Sequence, residues 1–211
     1  SWEVSAGGRC IRFHGVNGSG DHQPTRTYDL INDRYLPQLD PPARDRSLPL
    51  ESTTVRLSGD CGRQAGWSRT GHLVVWNART GGLHRTVLDP ADATTINEVE
   101  LVGQGRLLQT GGPTKRAFFL DAGGELRAPS GDTLDQVTVS DAANLALAVF
   151  RRLPPALYRL TDGAAVPAPW LATRSRAWLT GSGRFVVAQG VADLEVVEVG
   201  TGRTVGHQGI S

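Results

Sequence analysis

A short internal repeat is the feature that most restricts the folds open to this chain of 211 residues. Each copy is a turn of small and polar residues, usually ending in Gly-Arg, followed by a short apolar run. The turns end at residues 9, 63, 106, 144 and 184. After a longer first interval the spacing is about 40 residues, so one structural unit is repeated along the chain.

A second element follows each of these turns at a similar distance. It consists of an alternating strand, a turn containing Gly or Asp, and the start of another strand. The strands of this element are at 27–30, 72–77, 117–121, 156–160 and 194–199. Short strands between glycine-rich turns are typical of all-β folds, and no segment has helical periodicity over a helical length. Two turn types in fixed order at this period predict a β-propeller rather than a sandwich.

The repeat also predicts the domain organisation. We expect one all-β β-propeller domain over residues 1–211, with four-stranded blades at approximately 1–40, 52–90, 96–130, 134–169 and 174–208. The ring either closes with five blades or is part of a larger, seven-bladed propeller completed by other residues. The proline-rich segment 37–51 predicts an extended loop between the first two blades.

Two segments carry a resemblance to a known family. Trp76-Asn77-Ala78-Arg79-Thr80-Gly81-Gly82 resembles the end of a WD-repeat blade, where an aromatic-Asp pair precedes a tight turn ending in Thr-Gly. Gly183-Arg184-Phe185-Val186-Val187-Ala188 resembles the second strand of such a blade. Gly206-His207 resembles the Gly-His pair that begins a blade. The resemblance implies a WD-repeat-like β-propeller, although quinoprotein-like and other propellers share the same four-stranded blade.

Composition narrows the function classes. The formal net charge is +1, which predicts no electrostatic footprint for nucleic acid. No apolar run reaches the length of a membrane-spanning helix. Lys115 is the only lysine, which indicates GC-rich codon usage more than selection for arginine contacts. The absence of methionine indicates a processed product or a domain excised from a longer protein. The compartment stays open, with the cytoplasm slightly favoured.

Two cysteines in a chain of this size do not establish a disulfide framework, so Cys10 and Cys61 are expected to be two unpaired, partly buried thiols, with a Cys10–Cys61 bridge as the alternative. Gly59-Asp60-Cys61-Gly62 looks like the nucleophile turn of chymotrypsin-like cysteine proteases. It lies, however, inside the repeating turn, and only 60 residues precede Cys61. We therefore predict an ordinary turn and no catalytic residue.

A metal site is not predicted. His14 and His22 with Asp21 are possible ligands, but their spacing on a glycine-rich loop enforces no coordination geometry. A solvated loop is the preferred interpretation, and no metal or other cofactor is expected.

The candidate binding residues lie at loops between second and third strands: Trp67, Arg69, Lys115, Arg151 and Arg152. An aromatic side chain flanked by arginines is typical of a protein-binding hot spot. Ordinary surface residues are the other interpretation of this set. Analogy with other propellers predicts a non-enzymatic scaffold that binds a protein or peptide through one face, as an accessory domain of a larger protein. The alternative is a small-ligand or carbohydrate-binding propeller, or a propeller hydrolase with two inward carboxylates.

Overall fold

Short antiparallel strands form nearly all the regular structure of the chain. The computed structural model describes residues 2–4, 9–13, 26–36, 56–58, 60–67, 72–77, 83–87, 98–113, 115–128 and 131–210. Within these residues the only helical element is a 3-10 turn at Pro169–Leu171, and no helix is long and apolar enough to cross a membrane. The chain divides into two compact units, Ser1–Pro113 and Thr114–Ser211.

The described residues of the first unit form two antiparallel sheets and a hairpin. The first sheet has the order β1 (Trp2–Val4), β2 (Cys10–Phe13), β3 (Arg26–Asp29) and β4 (Arg34–Tyr35). The second has the order β5 (Arg56–Leu57), β6 (Arg63–Trp67), β7 (His72–Asn77) and β8 (Leu83–Val87). Strands β9 (Glu98–Val102) and β10 (Leu107–Gly111) form the hairpin. In both sheets, strands adjacent in sequence are adjacent in space.

The second unit contains a hairpin and two antiparallel sheets. The hairpin joins β11 (Ala117–Phe119) to β12 (Glu125–Leu126). One sheet has the order β13 (Leu134–Ser140), β14 (Leu145–Phe150), β15 (Ala156–Arg159) and β16 (Ala165–Val166). The other has the order β17 (Arg176–Leu179), β18 (Phe185–Gln189), β19 (Asp193–Glu198) and β20 (Thr204–Gly209). The all-β fold class is confirmed; the boundary between the two units falls inside the predicted 96–130 blade.

Two details of the predicted register are wrong. The second repeat's turn ends at Gly62, because Arg63 already begins β6 and pairs across the turn with Ser58. The Ser58 hydroxyl accepts a hydrogen bond from the Arg63 N–H at 2.9 Å and holds this pairing. Gly206 and His207 lie inside β20, opposite residues of β19, so they do not begin another blade.

The arginine of the repeated turn makes the same ion pair in two sheets. Arg9 binds the carboxylate of Asp29 at the end of β3 through Nε and Nη2, at 3.3 and 2.9 Å. Arg184 binds Glu198 at the end of β19, with Nη2 3.2 Å from Oε1. In both places the arginine carbonyl also accepts the N–H of the residue after the acid, at 2.9 Å. The repeated Gly-Arg pair therefore connects the first turn of a sheet to the end of its third strand.

Acid is expected to weaken the fold through Asp29. The Arg9 guanidinium holds the pKa of this buried carboxyl well below its ordinary range, assisted by hydrogen bonds from Asn32 and Ile31. Because the folded pKa is depressed, the contribution is complete above about pH 4 and is lost as the pH falls below it. Melting temperatures measured from neutral to acid pH should fall less steeply for Asp29→Asn than for the wild type. Parallel curves would contradict the role given to this carboxylate.

Turns between first and second strands contact the corresponding turns of the next repeat. In the first unit the Arg63 guanidinium donates to the carbonyl of Gly105 at 2.7 Å. In the second unit the Ser140 hydroxyl donates to the carbonyl of Gly181 at 2.8 Å. These partners lie 42 and 41 residues apart, so each bond joins one repeat to the next, although the donor is the last residue of the repeated turn in one case and the first in the other.

Successive sheets within a unit also pack through the same strands. In the second unit β17 lies against β13 and β14, and the Leu179 N–H donates to the Thr138 hydroxyl at 3.0 Å. Apolar side chains fill the space between them: Leu147, Leu157, Leu171, Ala177, Leu179, Val186 and Ala188. In the first unit β9 lies in the same way against β5 and β6. In these two places one sheet covers the buried face of the next, which an isolated sheet could not bury.

Cys10 and Cys61 form a disulfide with a Cα–Cα distance of 6.1 Å. The expectation of two unpaired thiols is therefore wrong. Both cysteines are buried, and Leu36 packs against them. The disulfide joins the start of β2 to the second repeated turn, although the two cysteines are 51 residues apart in sequence. The disulfide also excludes Cys61 as a nucleophile, because the Cys61 sulfur is bonded and buried.

Candidate functional site

An open cleft of about 320 Å³ lies at one end of the sheet β13–β16. One wall is the loop after β14, and the other is the segment that leads into β13. The lining residues are Gly131, Asp132, Thr133, Arg151, Arg152 and Leu153. Two of the predicted binding residues, Arg151 and Arg152, are therefore in one concave site.

Asp132 fixes the backbone of this loop. Its Oδ2 accepts the N–H of Arg152 at 2.7 Å and of Leu153 at 3.0 Å, while the Arg151 N–H donates to the Thr133 carbonyl at 2.9 Å. Burial raises the pKa of Asp132, but hydrogen bonds from the backbone N–H groups of Arg152, Thr133 and Leu153 outweigh it, and the pKa is lowered. Asp132 is thus an ionised anchor of the backbone.

The basic side chains of the cleft are open to solvent. Arg151 and Arg152 are both exposed, and neither guanidinium forms a salt bridge with a carboxylate among the residues that the structure describes. Lys115 lies beside them: it pairs with Leu134, the residue opposite Phe150, and its Nζ donates to the Asp135 carbonyl at 2.7 Å. The structure therefore brings Lys115, Arg151 and Arg152 to the same end of β13.

The remaining predicted residues are not placed at this cleft. Trp67 is the last residue of β6, in the first unit, and its side chain lies outside the described part of the structure. Arg69 lies outside the described residues, as do His14, His22 and Asp21, the metal ligands considered from the sequence. The aromatic half of the predicted hot spot stays a prediction.

A second charged cluster, at β19 and β20, was not identified from the sequence. Arg174 Nη1 lies 3.2 Å from Asp193 Oδ2, and Nη2 donates to Glu195. His207 Nε2 is 3.7 Å from the same oxygen of Asp193. A sequence signal existed, because acids at alternate positions of a strand lie on one face. The arginine is 21 residues from Glu195, so only folding brings it there.

The ligand atoms of Asp193, Glu195 and His207 lie within 4.8 Å of one another, a distance compatible with a metal ion. The Arg174 guanidinium, however, already bonds both carboxylates and is only 15% exposed. The cluster is thus an arginine-centred ion-pair network.

Comparisons with known proteins provide no family. No protein-family model matches the chain, and no curated protein matches it. Among solved structures, the crystal structure of the computationally designed Ika8 protein is similar over 100% of this chain, with 12% sequence identity and a TM-score of 0.45. The chain spans 61% of that designed protein's length. A function has to be argued from the residues of the chain itself.

Proposed function

We propose that the sheets of this chain are blades of a β-propeller, and that the chain is a non-enzymatic scaffold that binds a protein or peptide. The partner binds at the loop end of the sheet β13–β16, where an acidic segment of it enters the cleft beside Arg151 and Arg152. The same proposal includes the ring, which either closes with five blades or is part of a larger, seven-bladed propeller.

The repeated packing supports the propeller. Each described sheet is antiparallel with strands in sequence order, and turn-to-turn contacts recur at 41 and 42 residues. Stacked four-stranded sheets that contact only their neighbours are typical of propellers and other repeat folds.

The observation that carries the binding role is the pair of arginines on a fixed backbone. Asp132 holds the loop, while both guanidiniums face solvent. A guanidinium binds a carboxylate through two parallel hydrogen bonds, and a preformed loop loses little entropy when it binds. An acidic segment of a partner therefore fits the cleft better than a neutral ligand.

Two other observations support the proposal: one favours a non-enzymatic role, and the other favours an oxidising compartment. The sulfur of Cys61 is bonded to Cys10, and the carboxylates of Asp193 and Glu195 are bonded to Arg174. A disulfide between buried cysteines favours an oxidising compartment over the cytoplasm. When the protein is alkylated without reductant, mass spectrometry should find neither cysteine alkylated, because both are in the disulfide.

The test is the binding of a fluorescent seven-residue glutamate peptide, followed by anisotropy. Replacing Arg151 and Arg152 with alanine should weaken binding about tenfold or more, since charge-assisted hydrogen bonds contribute about 1.5–3 kcal/mol each. Arg203→Ala removes an exposed arginine from the turn after β19 and is the matched control, with no change expected. Binding should also weaken as salt is added.

Equal binding by the double variant and the wild type would contradict the site. A glutamine peptide of the same length that binds as well as the glutamate peptide would contradict the acidic partner.

A further inference from the structure

Strand β20 is a long and open edge of the sheet β17–β20. Among the described strands of this sheet it pairs with β19 alone, and five of its six residues are exposed. Three other fourth strands, β4, β12 and β16, have only two residues each. Proteins usually protect sheet edges with short strands, charged side chains or proline, whereas Thr204–Gly209 contains no lysine, arginine, acid or proline.

The hydrogen-bond pattern shows which backbone groups of β20 are available. The Ile210 N–H donates to the Ala192 carbonyl at 2.8 Å, and bonded and non-bonded pairs alternate from there along the antiparallel ladder. Gly209 and His207 are therefore in non-bonded pairs, opposite Asp193 and Glu195. Their N–H and C=O groups point away from β19, toward solvent, two residues apart.

The charge next to these groups indicates what could bind there. Asp193, Glu195 and His207 lie on the same face of the sheet, with Arg174 between the carboxylates. Two carboxylates face a single guanidinium, so the cluster has one acidic group more than Arg174 can neutralise. A lysine or arginine on an added strand, on the same face as His207, would neutralise it.

We propose that β20 is a strand-addition site for an extended peptide that carries a lysine or arginine on the face of Asp193 and Glu195. The open backbone groups of His207 and Gly209 supply the hydrogen bonds, and the acidic pair supplies the preference for a cation. A second copy of the chain is a poorer occupant. Pairing through this strand alone buries far less than the roughly 1,200 Å² of a stable interface.

The experiment titrates the protein against a fluorescent seven-residue peptide of alternating valine and lysine. The matched peptide has glutamine in place of lysine, because a glutamate peptide is also expected to bind at Arg151 and Arg152, and we expect it to bind about tenfold more weakly. His207→Pro removes an outward N–H that β19 does not use, so it should weaken binding about tenfold while the sheet stays paired. His207→Thr keeps the N–H and should bind within about twofold of the wild type.

Circular dichroism establishes that each variant is folded. If His207→Pro does not fold, a lysine peptide N-methylated at the residues facing β20 removes the same hydrogen bonds from the other side. Unchanged binding of that peptide, or unchanged binding by folded His207→Pro, overturns the proposal, as does equal binding of the glutamine peptide. Sedimentation of the wild type as a dimer that His207→Pro converts to a monomer also overturns it, because the occupant is then a second copy.

Discussion

Replacing both Cys10 and Cys61 with alanine is expected to lower the free energy of unfolding by about 4 kcal/mol. The disulfide connects residues 51 apart, and a cross-link over such a loop removes many conformations from the unfolded chain. Both cysteines are buried, so the bond also holds the first two sheets of the first unit together. Urea unfolding in the absence of reductant measures the change.

Two controls separate the bond from the side chains. A strong reductant in the denaturant should bring the wild type to the stability of the double alanine variant and leave that variant unchanged. Cys61 has a φ of 63°, a conformation that glycine adopts freely and alanine does not. The variant with Cys10→Ala and Cys61→Gly should therefore be about 1 kcal/mol more stable than the double alanine variant. A wild type insensitive to reductant would contradict the assigned contribution.

Gly183→Ala is expected to destabilise the second unit by about 3 kcal/mol, the sum of backbone strain and overpacking. Gly183 has a φ of +67°, which is unfavourable for alanine. An added Cβ would also lie 2.2 Å from the Ala143 Cβ and 2.7 Å from the Ser140 hydroxyl, far inside contact distance. The change would separate two turns that are joined by the hydrogen bond from Ser140 to Gly181.

Gly123 provides the matched control, because it has the same φ of +67° but no heavy atom within 4 Å of an added Cβ. Gly123→Ala should therefore show the backbone strain alone, about 1 kcal/mol. Ala143→Gly should partly rescue Gly183→Ala by removing the nearest atom. Equal melting temperatures for Gly123→Ala and Gly183→Ala would show that the close packing of the turns contributes nothing.

Much of the secondary structure could be predicted from the sequence because strands and hairpin turns depend on nearby residues. The predicted third-strand segments coincide with β3, β7, β11, β15 and β19 to within a few residues. The predicted end of the second turn at Arg63 is wrong for a physical reason that the sequence repeat does not show. The hydrogen bond to the Ser58 side chain, rather than the Gly-Arg pair in the sequence, determines where β6 begins.

The candidate site was predictable only in part. Lys115, Arg151 and Arg152 were recognised because loop position can be read from the repeat. Their arrangement around a cleft depends on Asp132, which bonds backbone groups 20 and 21 residues later. The network of Arg174 was missed for the same reason, since its acids follow 19 and 21 residues later.

The sequence alone determined an all-β fold of short strands in a repeating order. Alternating apolar and polar residues indicate each strand, and turn residues indicate where it ends. Tertiary structure alone decided the pairing of Cys10 with Cys61, the cleft at Arg151 and Arg152, and the open edge of β20. These features depend on distances between residues of different sheets or on backbone groups left unpaired at an edge. The side-chain pattern along one strand does not determine either of them.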